Sequence, residues 1–258
     1  MRLATLATCS LNQWALDFDG NLARTLASCA AARARGATYR VGPELELTGY
    51  GCEARGTRAL PDPRRAVLTH ARDVASAALR AQDHFFEGDT EAHAWESLAA
   101  LLRSDATDEM VVDVGLPVTH GGVRYNCRAF LLRRRVLLLR PKLVLADDGN
   151  YREARWFTAW ARPSCLETFR LPDCVAAVAG QATVPIGDAA LAFQDTTLAT
   201  ELCEARPGAA QLPCAPRAFL TPVHRRSFLC RPRRTRGWRC AAWRSSATAA
   251  AATTSCAS

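Results

Sequence analysis

Lysine is almost absent from this chain. Lys142 is the single lysine, and the other thirty-two of the 33 basic residues are arginines. Such a bias, together with abundant alanine, acts on the whole chain and not on one site. An ammonium is compact and aims three donors at one point, whereas a guanidinium is a planar fork. The retained lysine is therefore a candidate for chemistry, although from this observation alone survival by chance is an equal alternative.

Acidic residues are absent after Glu204, whereas ten arginines follow it. The formal net charge is +8, so without those ten arginines residues 1–204 carry about −2. The high pI thus belongs to residues 205–258 and does not indicate a nucleic-acid surface elsewhere. This tail has five prolines and a low-complexity ending, SSATAAAATTSCAS, which predicts disorder. A tail without function is favoured over one that binds RNA through its arginines, Trp238 and Trp243.

Three further patterns are missing. The eleven cysteines form no CxxC pair and no cysteine and histidine cluster at zinc spacing, so neither a metal nor another cofactor is expected. The opening MRLATLATCSLNQW lacks an apolar run of signal-peptide length, and no segment has the ~20 apolar residues that cross a bilayer. A cytoplasmic, reducing location with free thiols is expected.

The apolar pattern predicts an α/β fold that opens with a strand, a helix and a second strand. The predicted helices are 21–35 and 90–103. The predicted strands are 2–10, 37–41, 110–118, 123–132, 136–145, 189–193 and 197–202. Short turns among the three central strands indicate antiparallel neighbours. The stretch from 147 to about 184 is predicted to be irregular.

Candidate chemical groups lie at the ends of three of the predicted strands. They are the carboxylate of Glu44 or Glu46, the ammonium of Lys142 and the thiol of Cys203. Together they could hydrolyse a carbon–nitrogen bond: the carboxylate takes the thiol proton and the thiolate attacks the carbonyl. The ammonium and the backbone N–H of Glu204 would hold the oxyanion. Spacing alone does not single these residues out, because a glutamate, a lysine and a cysteine can be chosen from most sequences.

Five segments carry a family resemblance. They are ATCSLNQWALDFDGNL, YRVGPELELTGYGC, DVGLPVTHGGVRYNCR, LLRPKLVLADDGNYREARWF and TVPIGDAALAFQDTTLATELCE. In this order they resemble the amino-terminal glutaminase domain of eukaryotic glutamine-dependent NAD synthetases, which belongs to the nitrilase, or carbon–nitrogen hydrolase, superfamily. The resemblance spans most of residues 1–204 and implies a nitrilase-like α-β-β-α sandwich, incomplete here, followed by the tail 205–258.

The resemblance also implies roles for single residues. Glu44 matches the general base of the family, Lys142 its lysine and Cys203 its nucleophile. Tyr50 matches a position that lines the glutamine pocket, and Glu153 matches the supporting second glutamate. On this interpretation Lys142 is not an arginine because it must fit beside the tetrahedral intermediate. The implied reaction converts L-glutamine to glutamate and ammonia, which amidates deamido-NAD.

Three departures from the family are visible. Residues 53–82 form an arginine- and alanine-rich insert, which is either a lid helix or, as we favour, untranslated sequence joined into the reading frame. The likeness stops at Glu204, before the rest of the family's sheet, so a weakly stable or aggregating product is expected. The synthetase domain, which uses ATP and magnesium in the family, is missing, and this chain is expected to need no cofactor.

Two alternatives stay open. One is a free-standing amidase of the nitrilase superfamily. The other is a catalytically inactive, truncated interaction protein that assembles with full-length synthetase subunits or binds RNA through the tail. L-glutamine is the expected small-molecule partner, and neither a membrane nor a nucleic acid is expected as a partner of the folded part.

Overall fold

A large mixed β-sheet forms the centre of the computed structural model, which describes residues 4–51, 84–147, 151–193, 196–202 and 254–257. The helices are α1 (Phe18–Ala34), α2 (Gly88–Arg103) and α3 (Asp173–Ala179). The strands are β1 (Leu6–Ser10), β2 (Tyr39–Val41), β3 (Val111–His120), β4 (Val123–Leu132), β5 (Arg135–Pro141), β6 (Leu166–Arg170), β7 (Thr183–Gly187), β8 (Leu191–Ala192), β9 (Thr197–Leu198) and β10 (Thr254–Ala257). Short 3-10 turns lie at His84–Phe86, Asp105–Thr107 and Glu153–Arg155.

Eight of these strands pair in the order β10-β1-β2-β3-β4-β5-β7-β6. Strands β10, β1, β2 and β3 run parallel, whereas β3, β4 and β5 are antiparallel neighbours, as the short turns predict. Strand β7 runs parallel to β5 and antiparallel to β6. Strands β8 and β9 form a separate antiparallel pair. The mixed α/β class predicted from the sequence is confirmed.

The two faces of the large sheet differ because successive side chains of a strand point to opposite sides. On one face, apolar residues of β3 and β4 pack with the three helices in the main core. On the other face a smaller apolar cluster includes Tyr39, Phe130 and Leu138, and it is covered by Leu191 of β8. The β8–β9 pair therefore lies over the second face, which gives the layers of a partial α-β-β-α sandwich. Beyond this small cluster the second face carries polar side chains.

Helix α1 begins three residues before the predicted start. The Asp17 carboxylate accepts a hydrogen bond from the N–H of Gly20 at 3.2 Å and caps the first turn. The helix ends, as predicted, before Gly36, whose φ of 73° is readily adopted by glycine. The Asp17 cap thus explains why α1 begins before the predicted residue, and Gly36 explains where it ends.

Two predicted strands end well before their predicted last residues. Strand β5 ends at Pro141, not at residue 145, because the chain leaves the ladder there: the Lys142 carbonyl accepts from the Trp160 N–H at 3.0 Å. Strand β9 ends at Leu198, so the prediction that Cys203 directly follows a strand is wrong.

The stretch predicted to be irregular contains β6, α3 and the start of β7. Helix α3 has only seven residues between Pro172 and Gly180, so these turn-forming residues hide it in the sequence. Residues 53–82 lie outside the described part of the chain. Of the tail, the structure describes only residues 254–257, which form β10, and disorder elsewhere in it stays a prediction.

A buried ion pair fastens the turn after β2 to α1. The Arg40 and Glu46 side chains are fully buried, with Arg40 Nη1 2.9 Å from Glu46 Oε2. Thr25 of α1 donates to Glu46 at 2.8 Å, and Arg40 also donates to the Ser28 hydroxyl at 2.7 Å. Because every charge is hydrogen-bonded, the pair is tolerated in the interior. Loss of one partner would leave the other charge uncompensated.

Replacing Glu46 with Gln keeps the side-chain shape but leaves Arg40 buried without a carboxylate. We expect the free energy of unfolding to fall by about 3–5 kcal/mol, as for other broken buried pairs. The double variant Arg40→Met/Glu46→Leu removes both charges and should lose much less. Urea denaturation of the three proteins measures these differences, and equal losses in the single and double variants would contradict the account.

Candidate functional site

Lys142 lies between two carboxylates. Its Nζ is 2.8 Å from Glu44 Oε1 and 2.6 Å from Glu153 Oε2. Only 1% of the Lys142 side chain is exposed, and the Glu153 side chain is as deeply buried, whereas 16% of the Glu44 side chain is exposed. The structure thus brings together three site residues that the sequence singles out, although Glu44 and Lys142 lie 98 positions apart in the chain.

Glu44 is carried by a tight turn between β2 and the helical layer. The turn crosses β3 at Gly115, where an added Cβ would lie 2.5 Å from the Leu45 nitrogen. Leu47 donates its N–H to the Gly115 carbonyl at 3.1 Å. Leu45 itself has a φ of 49°, a strained conformation for leucine. Its side chain is buried among Phe85 and neighbouring aromatic residues, which offsets that strain and holds the turn against β3.

Lys142 and Glu153 are held by backbone contacts near the end of β5. Lys142 is the first residue after this strand, and its N–H still donates to the Asn126 carbonyl at 2.8 Å. Glu153 opens a 3-10 turn and donates its own N–H to the Ala146 carbonyl at 3.0 Å. The Ala146 N–H returns a bond to Glu153 Oε2 at 2.6 Å. Ala146 and Glu153 are therefore held together beside the buried ammonium.

Asn126 of β4 is a site residue that the sequence analysis missed. Its Nδ2 donates to Glu44 Oε1 at 2.5 Å and to Glu153 Oε1 at 3.1 Å. The amide orientation follows from the chemistry, because ionised carboxylates only accept. Its Oδ1 is buried and has no hydrogen-bond partner within the described part of the chain. A signal existed in VRYNCRAF, where Arg124, Asn126 and Arg128 alternate with less polar residues and so share one face of a strand.

The shared lysine separates the acidities of the two carboxyl groups. Burial raises the pKa of Glu44, with the nearby Glu153 charge adding to the increase and Lys142 opposing it. Burial also acts to raise the pKa of Glu153, but the hydrogen bonds from Lys142 and the Ala146 N–H outweigh it, so this pKa is lowered. The site therefore pairs a carboxyl group suited to proton transfer with a second one that stays ionised.

The ammonium remains protonated in this setting. Burial acts to lower the Lys142 pKa, but hydrogen bonds to Glu153 and Glu44 outweigh it and raise the pKa above its usual value. Lys142 is accordingly a fixed positive charge in a largely dry environment, where its interaction with a developing negative charge is stronger than in water.

Of the two glutamates that the sequence offered as the carboxylate, only Glu44 contacts Lys142. Glu46 is paired with Arg40 between the sheet and α1. Tyr50 packs against the aromatic cluster under Leu45, and its ring lies 6.2 Å from that of Tyr151. Tyr50 thus lies near the Glu44 turn.

Cys203 and Glu204 lie just beyond the described residue Leu202, so their assigned roles stay predictions. Across the described ranges, no group of three or more histidine, cysteine, aspartate or glutamate side chains could hold a metal ion. Nor does any helix of this described part have the length and apolarity to cross a membrane.

Replacing Lys142 with Met leaves Glu44 and Glu153 buried together without a counter-ion, so their folded-state pKa rises above that of the unfolded chain. Groups with a raised folded-state pKa favour folding at acid pH, and this contribution is lost as the pH rises through the raised value. We expect the urea midpoint to fall further below wild type at about pH 8 than at about pH 5.

Arg134→Met is the matched control, because Arg134 is an exposed cation that pairs with Asp108. The decrease in its urea midpoint relative to wild type should be the same at both pH values. If the urea midpoint of Lys142→Met falls equally at both pH values, Lys142 does not control the pKa values of Glu44 and Glu153.

Residues 5–211 match the carbon–nitrogen hydrolase family. Over 203 residues the chain is 47% identical to the glutamine-dependent NAD(+) synthetase of Macaca fascicularis and 46% identical to that of Homo sapiens. Each alignment covers 79% of this chain but 25% of the relative. The chain thus spans about a quarter of the length of the curated relatives it matches.

The fold also resembles a solved structure. The crystal structure of a glutamine-dependent NAD(+) synthetase from Cytophaga hutchinsonii matches with a TM-score of 0.60 and 24% identity, covering 79% of this chain and 28% of that one. At this identity the likeness shows the fold alone, which is the nitrilase fold implied by the sequence resemblance. Together with the match over residues 5–211, these findings show that the chain belongs to the carbon–nitrogen hydrolase family and is homologous to the glutaminase part of glutamine-dependent NAD synthetases.

Proposed function

We propose that this chain hydrolyses L-glutamine to glutamate and ammonia through Glu44, Lys142 and Cys203. The observation that carries the proposal is the buried Glu44–Lys142–Glu153 centre, in which one carboxyl pKa is raised and the other lowered. The names of the relatives add the substrate, because they are glutamine-dependent enzymes.

In this proposal the two oxygens of Glu44 have different tasks. Both Asn126 and Lys142 donate to Oε1. Within the described residues no hydrogen bond reaches Oε2, which makes it the oxygen that accepts the thiol proton. Asn126 therefore acts by orienting the base, and Glu153 by holding both Lys142 and Asn126.

In the first half of the reaction, Glu44 takes the proton from the Cys203 sulfur and the thiolate attacks the amide carbon of glutamine. The carbonyl oxygen becomes an oxyanion that the Lys142 ammonium and the Glu204 N–H stabilise. The carbon–nitrogen bond then breaks, and the nitrogen takes the proton from Glu44 and leaves as ammonia. A thioester on Cys203 remains.

In the second half, Glu44 takes a proton from water, whose oxygen attacks the thioester carbon. Lys142 again stabilises the oxyanion. The carbon–sulfur bond breaks, the sulfur takes the proton back from Glu44, and glutamate leaves. Lys142 stays protonated throughout, in keeping with its raised pKa, so it acts as a charge and not as an acid.

The wider setting that we propose is NAD biosynthesis in the cytoplasm. Tyr50 would line the glutamine pocket beside the Glu44 turn. The ammonia would amidate deamido-NAD in a synthetase part that uses ATP and magnesium, supplied by full-length synthetase subunits that assemble with this chain. The chain itself would need no cofactor for the hydrolytic reaction.

A free-standing amidase and a catalytically inactive interaction protein are the competing functions. Hydrolysis of small amides at rates similar to that of glutamine would favour the amidase. A soluble protein that neither turns over nor is labelled at Cys203, yet binds full-length synthetase, would favour the interaction role.

The test is glutamate release by the purified chain, combined with mass-spectrometric detection of labelling by an electrophilic glutamine analogue. Cys203→Ala should abolish both, because no thiolate remains. Glu44→Gln should lower kcat by roughly 10²–10⁴-fold, the usual contribution of a general base. Cys174→Ala, which removes a partly buried thiol of α3, should change neither. Turnover or labelling that survives Cys203→Ala would contradict the proposal.

A further inference from the structure

The segment that leads into Cys203 has no regular secondary structure, yet two side-chain contacts fix it. Strand β9 ends at Leu198, and residues 199–202 follow as irregular chain. Within this segment Thr200 Oγ1 donates to Asp113 Oδ2 at 3.4 Å, and Glu201 Oε1 accepts from Arg140 Nη2 at 2.9 Å. Leu202 is buried. The segment is thus tied to the large sheet by side chains and not by a strand ladder.

Arg140 is the centre of the stronger of these contacts. It is buried near the end of β5, two residues before Lys142. Its Nη1 donates to the Ala189 carbonyl at 2.5 Å, while its Nη2 pairs with Asp188 at 3.2 Å as well as with Glu201. A planar guanidinium reaches these partners at once, which a lysine ammonium on one stem would not do. One side chain therefore links β5, the loop after β7 and the segment 199–202.

Asp113 of β3 is the second anchor, and it also leads to the Glu44 turn. Arg128 Nε donates to Asp113 Oδ1 at 2.6 Å, and the Tyr39 hydroxyl donates to Asp113 Oδ2 at 2.6 Å. Arg128 Nη1 also donates to the carbonyl of Pro43, the residue before Glu44, at 2.7 Å. The same buried network therefore contacts the chain on the way to Glu44 and, through Thr200, the chain on the way to Cys203.

We propose that Arg140 is a positioning residue which, through Glu201, sets where the chain enters Cys203 relative to Lys142. Arg140 precedes Lys142 by two residues, and Glu201 precedes Cys203 by two. Two residues of extended chain span ~6.6 Å, so the ion pair acts within a short distance of both groups. This inference rests on the proposed function for the role of Cys203. A displacement of about 1 Å in a reacting group can cost roughly 10²-fold in rate.

Because Arg140 and Glu201 differ in exposure, the positioning role can be tested without a loss of stability. Arg140 is buried, but 49% of the Glu201 side chain is exposed. An ion pair with one exposed member contributes little to global stability. A change at Glu201 should therefore release the segment without unfolding the protein, so Glu201 and not Arg140 is the residue to change first.

The experiment compares wild type with Glu201→Gln by hydrogen exchange of the amides in residues 199–202 and by labelling kinetics with the electrophilic glutamine analogue. We expect exchange to become about two- to five-fold faster, as loss of a partly exposed pair allows. We expect the maximal labelling rate to fall by up to about tenfold, with the half-saturating concentration of analogue unchanged. Thermal unfolding should be unchanged.

Glu167→Gln is the matched control, because it removes the Arg162 and His120 contacts of the edge strand β6, and neither of these contacts involves residues 199–202. It should change neither readout. Arg140→Lys, which keeps the charge but loses the fork, should reproduce the faster exchange.

The outcomes separate this inference from the proposed function. Unchanged exchange in Glu201→Gln overturns the positioning role whether or not the chain is active. Faster exchange with unchanged labelling overturns the claim that the placement matters for Cys203. A wild-type protein that is never labelled contradicts the proposed function, and the exchange result then still decides whether Arg140 and Glu201 hold the segment.

Discussion

The burial of one ammonium between two carboxylates is the interaction on which the site depends. The Lys142 ammonium balances one of the two carboxylate charges. When both glutamates are ionised, the three side chains therefore keep a net negative charge. Glu153, which also accepts the Ala146 N–H, takes the larger share of that compensation, and its pKa is lowered. Glu44 has fewer donors, so the increase caused by its burial is not offset and its pKa is raised. Because Lys142 and the Ala146 N–H stabilise ionised Glu153, Glu44 is the carboxyl group that keeps a raised pKa and can act as a base.

The two faces of the sheet have different roles: one packs the apolar core, and the other holds the polar side chains around the site. The face toward the helices carries the main apolar core. The opposite face carries a smaller apolar cluster and a row of polar side chains from β3, β4 and β5: Asp113, Asn126, Arg128 and Arg140. Because rigid strands hold these groups, their mutual distances do not depend on long flexible loops. Backbone hydrogen bonds hold the Glu44 turn to Gly115 and Glu153 to Ala146.

The sequence allowed part of this to be predicted. The antiparallel order of β3, β4 and β5 followed from local alternation and short turns. The solitary lysine and the family motifs selected Lys142, Glu44 and Glu153, which the structure places together. Spacing could not decide between Glu44 and Glu46, because both follow the same strand. Only the fold shows that Glu46 is paired with Arg40.

Other features depended on long-range contacts that local patterns do not contain. Helix α3 and strands β6 and β7 were missed because each is short, and β7 joins the sheet by pairing with β5, some fifty positions earlier in the chain. Asn126 and Arg140 could not be predicted from the sequence because asparagine and arginine are mostly exposed to solvent. Their roles follow from the partners they meet across the sheet, including Glu44 for Asn126 and Glu201 for Arg140.

The most direct test of the central claim is a titration of the glutamate side chains, followed by the 13Cδ chemical shifts of selectively labelled protein. The account predicts one carboxyl that titrates above the ordinary glutamate pKa of about 4.3 and disappears in Glu44→Gln, and one that titrates below it and disappears in Glu153→Gln. If the resonances lost in these two variants both titrate near the ordinary value, Lys142 does not separate the two carboxyl groups and the account is wrong.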